Sequence, residues 1–279
     1  MREFYYRSAQ PALGQFPGHH RSRRGDAGHE YRGHVPITHA SDARRLDLLA
    51  SLRDPLGQWL VRLASERKAI PVYAVADLSA SMGYTGARRR LDVLADFTES
   101  LAWSAWRTGD PFGFVGCDER VRPDWVQPPV RSRGAGSALA RRLRALAPTG
   151  RSAAGLADAH RMLQRQRSMA FLLSDFHLPL DELDRVLDSL SMHELVPVLL
   201  WDRAEFEPPP ARTGLAALRD AETGRRRLLW LRPALRTRWI ERIEARQEAL
   251  EQLFRRHRLR PLKLLDGFDA EAVTAHFHR

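Results

Sequence analysis

The sequence predicts an α/β fold in which a mainly parallel sheet, with one antiparallel edge strand, carries helices on both faces. Two short apolar runs, IPVYAVAD and MAFLLSD, have the continuous hydrophobicity of strands that are buried on both faces. Apolar residues at helical spacing follow them, and strands alternate with helices as far as Asp202. Such alternation is typical of parallel sheets whose crossover helices cover both faces. One hairpin pattern between the two runs predicts the antiparallel strand.

Residues 1–40 are predicted to form an irregular basic arm, because they are rich in Gly, His, Arg and Pro and lack apolar periodicity. Residues 41–70 form an extension ahead of the first buried strand. Leucines recur there three or four residues apart, at positions 49, 52, 56, 60 and 63. Pro55 and Gly57 interrupt this spacing, so we expect partly helical structure.

Residues 71–203 form the predicted core. Strands are predicted at IPVYAVAD, on either side of a turn at Asp118 and Glu119 in PFGFVGCDERVRPDWVQ, at MAFLLSD and at ELVPVLLWD. Helices are predicted at residues 87–107, 137–147 and 153–166 and at DELDRVLDSLSMH. In the first of these helices, apolar residues at positions 94, 97, 101 and 105 mark the buried face.

Residues 204–279 are predicted to complete the fold. The segment GLAALRDAETGRRRLLWL reads as a hairpin that turns at residues 222–224. A long helix follows, with one apolar stripe formed by Leu235, Trp239, Ile243, Leu250 and Phe254. RLRPLKLL is predicted as a last strand and DAEAVTAHF as a closing helix.

Composition narrows the class of protein. The 279 residues are 43% hydrophobic, with a single cysteine, and contain neither a signal-peptide core nor an apolar run of the roughly 18 to 20 residues that span a bilayer. We therefore expect a cytoplasmic protein with no membrane span and no internal disulfide. The net charge is +11, but the arginines are scattered along the chain, so we do not expect nucleic acid to be the partner.

Polar side chains gather where the predicted strands end. Asp77 ends the first buried strand and is followed by Ser79 and Ser81, while Asp175 ends the MAFLLSD strand. Between them, APTGRSAAG supplies hydroxyl groups at positions 149 and 152. Because the carboxyl ends of parallel strands lie at one edge of a sheet, these oxygens could converge. An all-oxygen set with few formal charges suits a hard ion such as Mg²⁺, or Mn²⁺ or Ca²⁺ in its place.

A structural role for the same residues is the simpler alternative. Ser81 could cap the helix that follows it, and Asp77 and Asp175 could accept backbone N–H bonds at the starts of loops. For any one residue this reading is preferred. For the whole set the metal site is preferred.

The D-x-S-x-S pattern of Asp77, Ser79 and Ser81 resembles the metal-ion-dependent adhesion site (MIDAS) of von Willebrand factor A domains, which have a Rossmann-like fold. The resemblance gives Asp175, in LLSDF, the role of the last aspartate. It gives Ser152, in GRSA, the role of the family threonine, with Thr149 as a competitor.

Longer segments resemble a bacterial family of MoxR-associated von Willebrand factor A-like proteins, known as domain of unknown function 58. Its pattern ahead of the motif matches Arg45, Leu46-Asp47-Leu48 and Glu66-Arg67, and its later Asp-x-x-Glu segment matches LLWDRAEFEPPP. The sequence departs from the family at Leu48, where tryptophan is usual, and at Ser152. We also expect no membrane anchor, which many members of the family carry.

The family resemblance implies a protein-binding module and not an enzyme. Its members are thought to work with MoxR-type AAA+ ATPases in maturing or remodelling other proteins, including metalloenzymes. The ligands implied are the hydroxyl groups of Ser79, Ser81 and Ser152, with Asp77 and Asp175 binding directly or through water. A client protein would offer a carboxylate that completes the coordination of Mg²⁺.

Two rival functions stay open. A Mg²⁺-dependent phosphotransferase of the haloacid dehalogenase type also uses aspartates at strand ends. It needs a second aspartate where this chain has Ser79, and a lysine near the site, whereas the chain has only Lys68 and Lys263. A basic nucleic-acid-binding module is the other rival, suggested by the net charge alone.

Overall fold

The computed structural model describes residues 3–8, 17–21, 30–40, 43–65, 67–207, 214–219, 226–231 and 233–278. The strands and the α-helix ahead of the core are β1 Pro17–Arg21, β2 Glu30–Pro36, α1 Leu48–Leu52, β3 Leu60–Ser65 and β4 Arg67–Lys68. β1 pairs with β4 and β2 pairs with β3, both in the antiparallel sense. The described part of the arm predicted to be irregular therefore contributes two strands.

The leucine spacing of the extension does not mark a buried helical face, so this prediction was only partly right. Helix α1 ends at Leu52, which is 81% exposed, and Leu49 and Leu56 are also exposed. Leu60 and Leu63 lie in β3, where pairing with β2 satisfies the backbone hydrogen bonds. Long-range strand pairing, which local spacing cannot reveal, decides the structure here.

Asp47, in the segment that resembles the family pattern, fixes the start of α1. Its carboxylate accepts a hydrogen bond from the Ala50 N–H at 3.0 Å, as an N-cap residue does. It also forms an ion pair with Arg62 in β3 at 2.6 Å and lies within hydrogen-bond distance, 3.0 Å, of Nε2 of His34 in β2. One carboxylate thus ties the short helix to the paired strands beside it.

The remaining elements follow the predicted order. In the core they are β5 Val72–Asp77, α2 Arg90–Arg107, β6 Phe112–Cys117, β7 Val121–Val130, α3 Ala135–Ala145, β8 Met169–Ser174, α4 Leu180–Ser189, β9 Glu194–Trp201 and α5 Arg203–Phe206. They continue as β10 Gly214–Arg219, β11 Arg226–Leu231, α6 Pro233–Arg256, β12 Leu262–Leu265 and α7 Ala270–His278.

One predicted helix is shorter and more tightly wound than an α-helix. Residues 153–166 were expected to be helical, and the structure has a 3₁₀ helix at Ala154–Met162. Packing constrains this segment, because the Gly155 N–H donates to the Asp118 carbonyl oxygen at 2.9 Å. A Cβ atom on Gly155 would lie 2.3 Å from the Arg120 backbone, so the segment lies too close to the β6–β7 turn for any side chain at this position.

The central sheet has six strands in the order β12-β9-β8-β5-β6-β7. All neighbours are parallel except β7, which runs antiparallel to β6 at the edge. The predicted mainly parallel sheet with one antiparallel edge strand is confirmed. The chain order reverses between β5 and β8, and ligands of open α/β sheets bind at such a switch point, outside the carboxyl ends of the strands.

Two hydrophobic cores lie on the two faces of the sheet. Along β5, Val72, Ala74 and Ala76 face one core, while Tyr73 and Val75 face the other, as the period of two requires. Helices α2, α3 and α7 cover the first core. The 3₁₀ helix, α4 and α6 cover the second. The prediction of helices on both faces is confirmed.

The carboxyl-terminal elements also match the prediction. β10 and β11 pair antiparallel over six residue pairs, although the predicted turn at residues 222–224 lies outside the described residues. In α6, Leu250 and Phe254 of the predicted stripe are buried in the second core. Among the described residues, the helices are all too short or too polar to cross a membrane.

Candidate metal centre

The candidate site lies at the switch point, where β5 and β8 run side by side. The two strands pair in parallel from Val72 opposite Met169 to Ala76 opposite Leu173, so they end at the same edge of the sheet. Beyond this register, the Ser174 hydroxyl donates to Asp77 Oδ2 at 2.8 Å. The residue after Ser174 is Asp175, and both aspartates are almost fully buried.

The loop after β5 turns its two serine hydroxyls toward each other. The Ser79 N–H donates to Asp77 Oδ1 at 2.9 Å, and a 3₁₀ helix at Ala80–Gly83 follows at once. As a result, Ser79 Oγ lies 3.1 Å from Ser81 Oγ, and both side chains are buried. The structure therefore brings together Asp77, Ser79 and Ser81 as the D-x-S-x-S pattern predicted.

The loop between α3 and the 3₁₀ helix at Ala154–Met162 contacts the same loop through Gly150. The Ala80 N–H donates to the Gly150 carbonyl oxygen at 2.7 Å, and Ser79 and Gly150 form a parallel bridge. A Cβ atom on Gly150 would lie 2.5 Å from Asp118 Cβ, which explains the glycine. Ser152 is half-buried and Thr149 is exposed. Both flank the contact, and the choice between them stays a prediction.

Asp175 is held by cationic side chains. Its Oδ1 accepts the His177 N–H at 3.1 Å, and its Oδ2 lies 3.0 Å from an Arg90 guanidinium nitrogen and 3.3 Å from His177 Nδ1. Burial raises the pKa of Asp175, but the bond to His177 and the charges of His177 and Arg90 outweigh burial and hold the pKa well below its usual range. Asp175 is therefore ionised.

Arg90, at the start of α2, is the central residue of this network, and the sequence reasoning missed it. Its guanidinium is buried and donates to the carbonyl oxygens of Ser81 at 2.9 Å and Leu200 at 3.1 Å, besides Asp175. The remaining nitrogen forms an ion pair with Glu205. A signal for Arg90 was present, because it lies one helical turn before Leu94 on the buried stripe of α2.

Asp202 and Glu205, in the Asp-x-x-Glu segment, bind residues that lie around the site. Asp202 caps α5 by accepting the Ala204 N–H at 2.9 Å, and its other oxygen accepts the Ala87 N–H from the loop after the D-x-S-x-S motif. A Cβ atom on Gly86 would lie 2.0 Å from this carboxylate, so only glycine permits the approach. The segment that resembles the family pattern thus positions both the loop and Arg90.

Asp77 differs from Asp175 in that no cationic side chain among the described residues forms an ion pair with it. Burial and the negative charge of Asp175 raise the pKa of Asp77 to about 6, although hydrogen bonds from Ser79 and Ser174 act in the opposite direction. Ionising this buried carboxylate costs free energy, and a positive charge beside it would lower that cost. A divalent cation would supply such a charge.

The geometry of the donors fits Mg²⁺. Neighbouring ligands of an octahedral ion with bonds of about 2.1 Å lie roughly 3.0 Å apart. The hydroxyl oxygens of Ser79 and Ser81 are 3.1 Å apart, beside the Asp77 carboxylate. The described donors are oxygen atoms, as a hard cation requires. The residues present therefore fit the predicted ion.

Comparison with known proteins identifies a protein family and a bacterial relative. Residues 37–249 match the family model described as "Protein of unknown function DUF58". An uncharacterized protein in the moxR 3′ region of Paracoccus denitrificans is 37% identical over 102 residues, which cover 37% of this chain and 96% of that protein.

Solved structures with a similar fold include two bacterial proteins. BatB from Bacteroides thetaiotaomicron, a conserved hypothetical protein, has a TM-score of 0.43 at 12% identity over 75% of this chain and 98% of its own. The von Willebrand factor domain of the pilus tip protein Mfa5 from Porphyromonas gingivalis has a TM-score of 0.30 at 21% identity, over 38% of each chain.

Proposed function

The chain belongs to the DUF58 family, with a von Willebrand factor A fold, and from this premise we propose that it is a Mg²⁺-dependent protein-binding adaptor for a MoxR-type AAA+ ATPase. Its task would be the maturation or remodelling of a client protein such as a metalloenzyme. A cytoplasmic location stays a prediction of the sequence.

The observation that carries the proposal is the pair of buried hydroxyl groups, 3.1 Å apart, beside the buried Asp77 carboxylate. Ser79 and Ser81 would bind the ion directly, together with a hydroxyl group from residue 152 or 149. Asp77 and Asp175 would bind it directly or through water. When bound, the ion supplies a Lewis-acidic position for a carboxylate from another protein.

The charge balance of the site favours binding of such a foreign carboxylate. Arg90 and His177 already neutralise Asp175, so Asp77 would contribute the carboxylate that has no partner cation among the described residues. An ion held mainly by neutral hydroxyl groups keeps much of its positive charge. That charge attracts an acidic side chain of the partner.

The ATPase partner is inferred from a relative. The Paracoccus denitrificans protein that is 37% identical over 102 residues is described by its position in the moxR 3′ region. A gene beside moxR supports a shared task with the MoxR-type ATPase. Nucleotide hydrolysis would belong to that partner, because the chain has neither a P-loop nor a G-x-G-x-x-G motif.

The phosphotransferase alternative is less well supported. Its general acid would have to lie two residues after Asp77, where the chain has the Ser79 hydroxyl, bound to Ser81. Among the described residues, the positive charge nearest Asp175 is Arg90, whose nitrogens are engaged by Asp175, Glu205 and backbone carbonyls. We therefore propose a binding role and no catalysis.

Capture of the purified MoxR-type ATPase by the immobilised full-length protein tests the adaptor role. In Mg²⁺ and without nucleotide we expect retention, and with a chelator we expect loss of retention. Asp77→Asn is expected to weaken binding by about 30-fold or more, the effect of removing one partner from a desolvated charge contact. Surface plasmon resonance measures both.

The matched control is Arg88→Met, which removes a charge from the exposed ion pair with Asp96 outside the site. Retention that is insensitive to both chelation and Asp77→Asn would refute the adaptor role at this site. Hydrolysis of small phosphomonoesters that Asp77→Asn abolishes would favour the phosphotransferase instead. DNA affinity that falls steeply as the salt concentration rises, and that Asp77→Asn leaves unchanged, would favour the nucleic-acid module.

The third hydroxyl ligand is predicted to be Ser152 in preference to Thr149. Ser152→Ala is then expected to lower Mg²⁺ affinity about tenfold or more, whereas Thr149→Val leaves it within twofold. Isothermal titration calorimetry of the two single variants checks this. The reverse pattern would assign the role to Thr149, and two unchanged affinities would exclude both residues.

A further inference from the structure

A second candidate site lies at the opposite edge of the sheet. A cleft of about 580 Å³ opens at the amino ends of β8, β9 and β12, away from the candidate metal centre. Arg167 precedes β8, Glu194 begins β9, and residues 258–260 lead from α6 into β12. Its volume lies within the range of roughly 300–1,000 Å³ that is usual for small-molecule sites.

The lining of the cleft is strongly cationic. Arg7, Arg167, Arg258 and Arg260 line it, and Glu194 is the one carboxylate among its described lining residues. Glu194 accepts a hydrogen bond from the Ser8 hydroxyl at 2.5 Å. Among the described residues, none of the four guanidinium groups forms an ion pair. Several uncompensated arginines around one cavity favour a polyanion.

Arg167 adds an unsatisfied donor. Its Nε is buried and has no hydrogen-bond partner among the described residues. A buried donor without an acceptor is costly, and its presence calls for an explanation such as a bound ligand. In the same region, burial and then the charge of Arg167 lower the pKa of His193, which agrees with a positive potential in the cleft.

Arg258 occupies a backbone position that favours glycine. Helix α6 ends in a Schellman motif, in which the Leu259 N–H donates to the Phe254 carbonyl at 2.8 Å and the Arg258 N–H donates to the Arg255 carbonyl at 2.9 Å. Arg258 takes the left-handed conformation of that motif, with φ of 56°. An arginine there costs more than a glycine would, so fold stability does not explain it.

From these observations we infer that the cleft binds a small phosphate anion with two or more negative charges, of the size of a nucleoside diphosphate. The arginine forks match phosphate oxygens, and the acceptors of the phosphate would satisfy Arg167 Nε. Leu195, Leu259 and Phe277 line the cleft as well, and they offer an apolar surface to the organic part of the ligand. This binding is independent of the metal centre.

Titration calorimetry of the full-length protein with ADP and with inorganic pyrophosphate tests the inference. Arg258→Gly is expected to weaken ADP binding about tenfold, the effect of losing a charge-assisted hydrogen bond. Because glycine is favoured at this position, the variant is expected to keep or raise the melting temperature. Arg255→Ala removes an equal charge from the same helix end outside the cleft, and is expected to leave ADP binding unchanged.

Pyrophosphate that binds as tightly as ADP, with the same sensitivity to Arg258→Gly, supports the phosphate site and identifies an inorganic source. ADP that binds more tightly supports a nucleotide source. No heat or saturation with either anion at 1 mM would overturn the inference. Equal losses in Arg258→Gly and Arg255→Ala would overturn it too, since they indicate non-specific attraction. So would an acidic peptide that binds more tightly than ADP.

Discussion

Replacing Arg90 with methionine is expected to lower the free energy of unfolding by about 3–5 kcal/mol, the cost of removing one partner from a buried ion pair. The Arg90 guanidinium is the cation shared by the buried Asp175 and by Glu205. Without it both carboxylates keep only the His177 imidazole as a cationic neighbour. The carbonyl oxygens of Ser81 and Leu200 also lose a donor. Chemical denaturation with a chelator present measures the effect.

Two further variants separate charge from geometry. Arg90→Lys keeps the charge but cannot donate to four acceptors from one planar fork, so most of the loss is expected to remain. Combining Arg90→Met with Glu205→Gln removes one of the stranded charges, and is expected to recover part of the loss.

The matched control on the same segment is Arg88→Met. Arg88 pairs with Asp96 at 2.9 Å, but its side chain is 46% exposed, so we expect a change within about 1 kcal/mol. A loss for Arg90→Met no larger than that for Arg88→Met would contradict the view that Arg90 holds Asp175 and Glu205 in place.

The sequence was sufficient to predict the sheet and the edge at which the site lies. The continuous apolar runs that end at Asp77 and near Asp175 mark buried parallel strands, and the D-x-S-x-S spacing follows from the turn after the first of them. These features are local, or repeat with a short period, so a single chain reveals them. The same reasoning identified the loop around Gly150, and it left Thr149 as a competitor of Ser152 for the third hydroxyl ligand.

The sequence was not sufficient where a partner is chosen in three dimensions. Arg90 and Asp175 are 85 residues apart, and their pairing depends on how the start of α2 packs beside the residue that follows β8. The leucines at 60 and 63 became strand residues because β2 lay beside them. For Arg90 the buried stripe of α2 was a usable sign, because an arginine at a core position needs a carboxylate partner.

Asp77→Asn is expected to lower Mg²⁺ affinity by about 100-fold or more. Loss of a residue that only supports a metal ligand already lowers affinity by roughly 10- to 100-fold, and Asp77 would supply the charge of the site. The amide keeps the acceptor for the Ser79 N–H, so the loop geometry is expected to survive. What disappears is the carboxylate charge. Titration with Mg²⁺ or Mn²⁺, followed by calorimetry, measures the loss.

The same substitution is expected to stabilise the metal-free protein. The folded-state pKa of Asp77, about 6, lies above the ordinary value of 3.8, so the folded state holds a proton that the unfolded chain has released between these values. Stability from this group is therefore full below pH 4 and is lost as the pH rises through 6. Asparagine avoids that loss, so we expect a gain of about 1–3 kcal/mol at pH 7–8 and almost none at pH 4.

Asp110→Asn provides the opposite case, because Asp110 is equally buried but lies ahead of β6, away from the switch point. It accepts hydrogen bonds from the Ile70 N–H at 2.9 Å and from the Tyr6 hydroxyl at 2.6 Å. An amide oxygen replaces only part of this acceptor capacity, so Asp110→Asn is expected to lower stability and leave Mg²⁺ affinity unchanged.

If Asp77→Asn instead destabilises the chelated protein as Asp110→Asn does, Asp77 is a structural residue of the strand end, and the metal centre loses its principal anion. If it stabilises the chelated protein and abolishes binding, the chain carries a buried charge at a cost in stability that only a bound cation offsets.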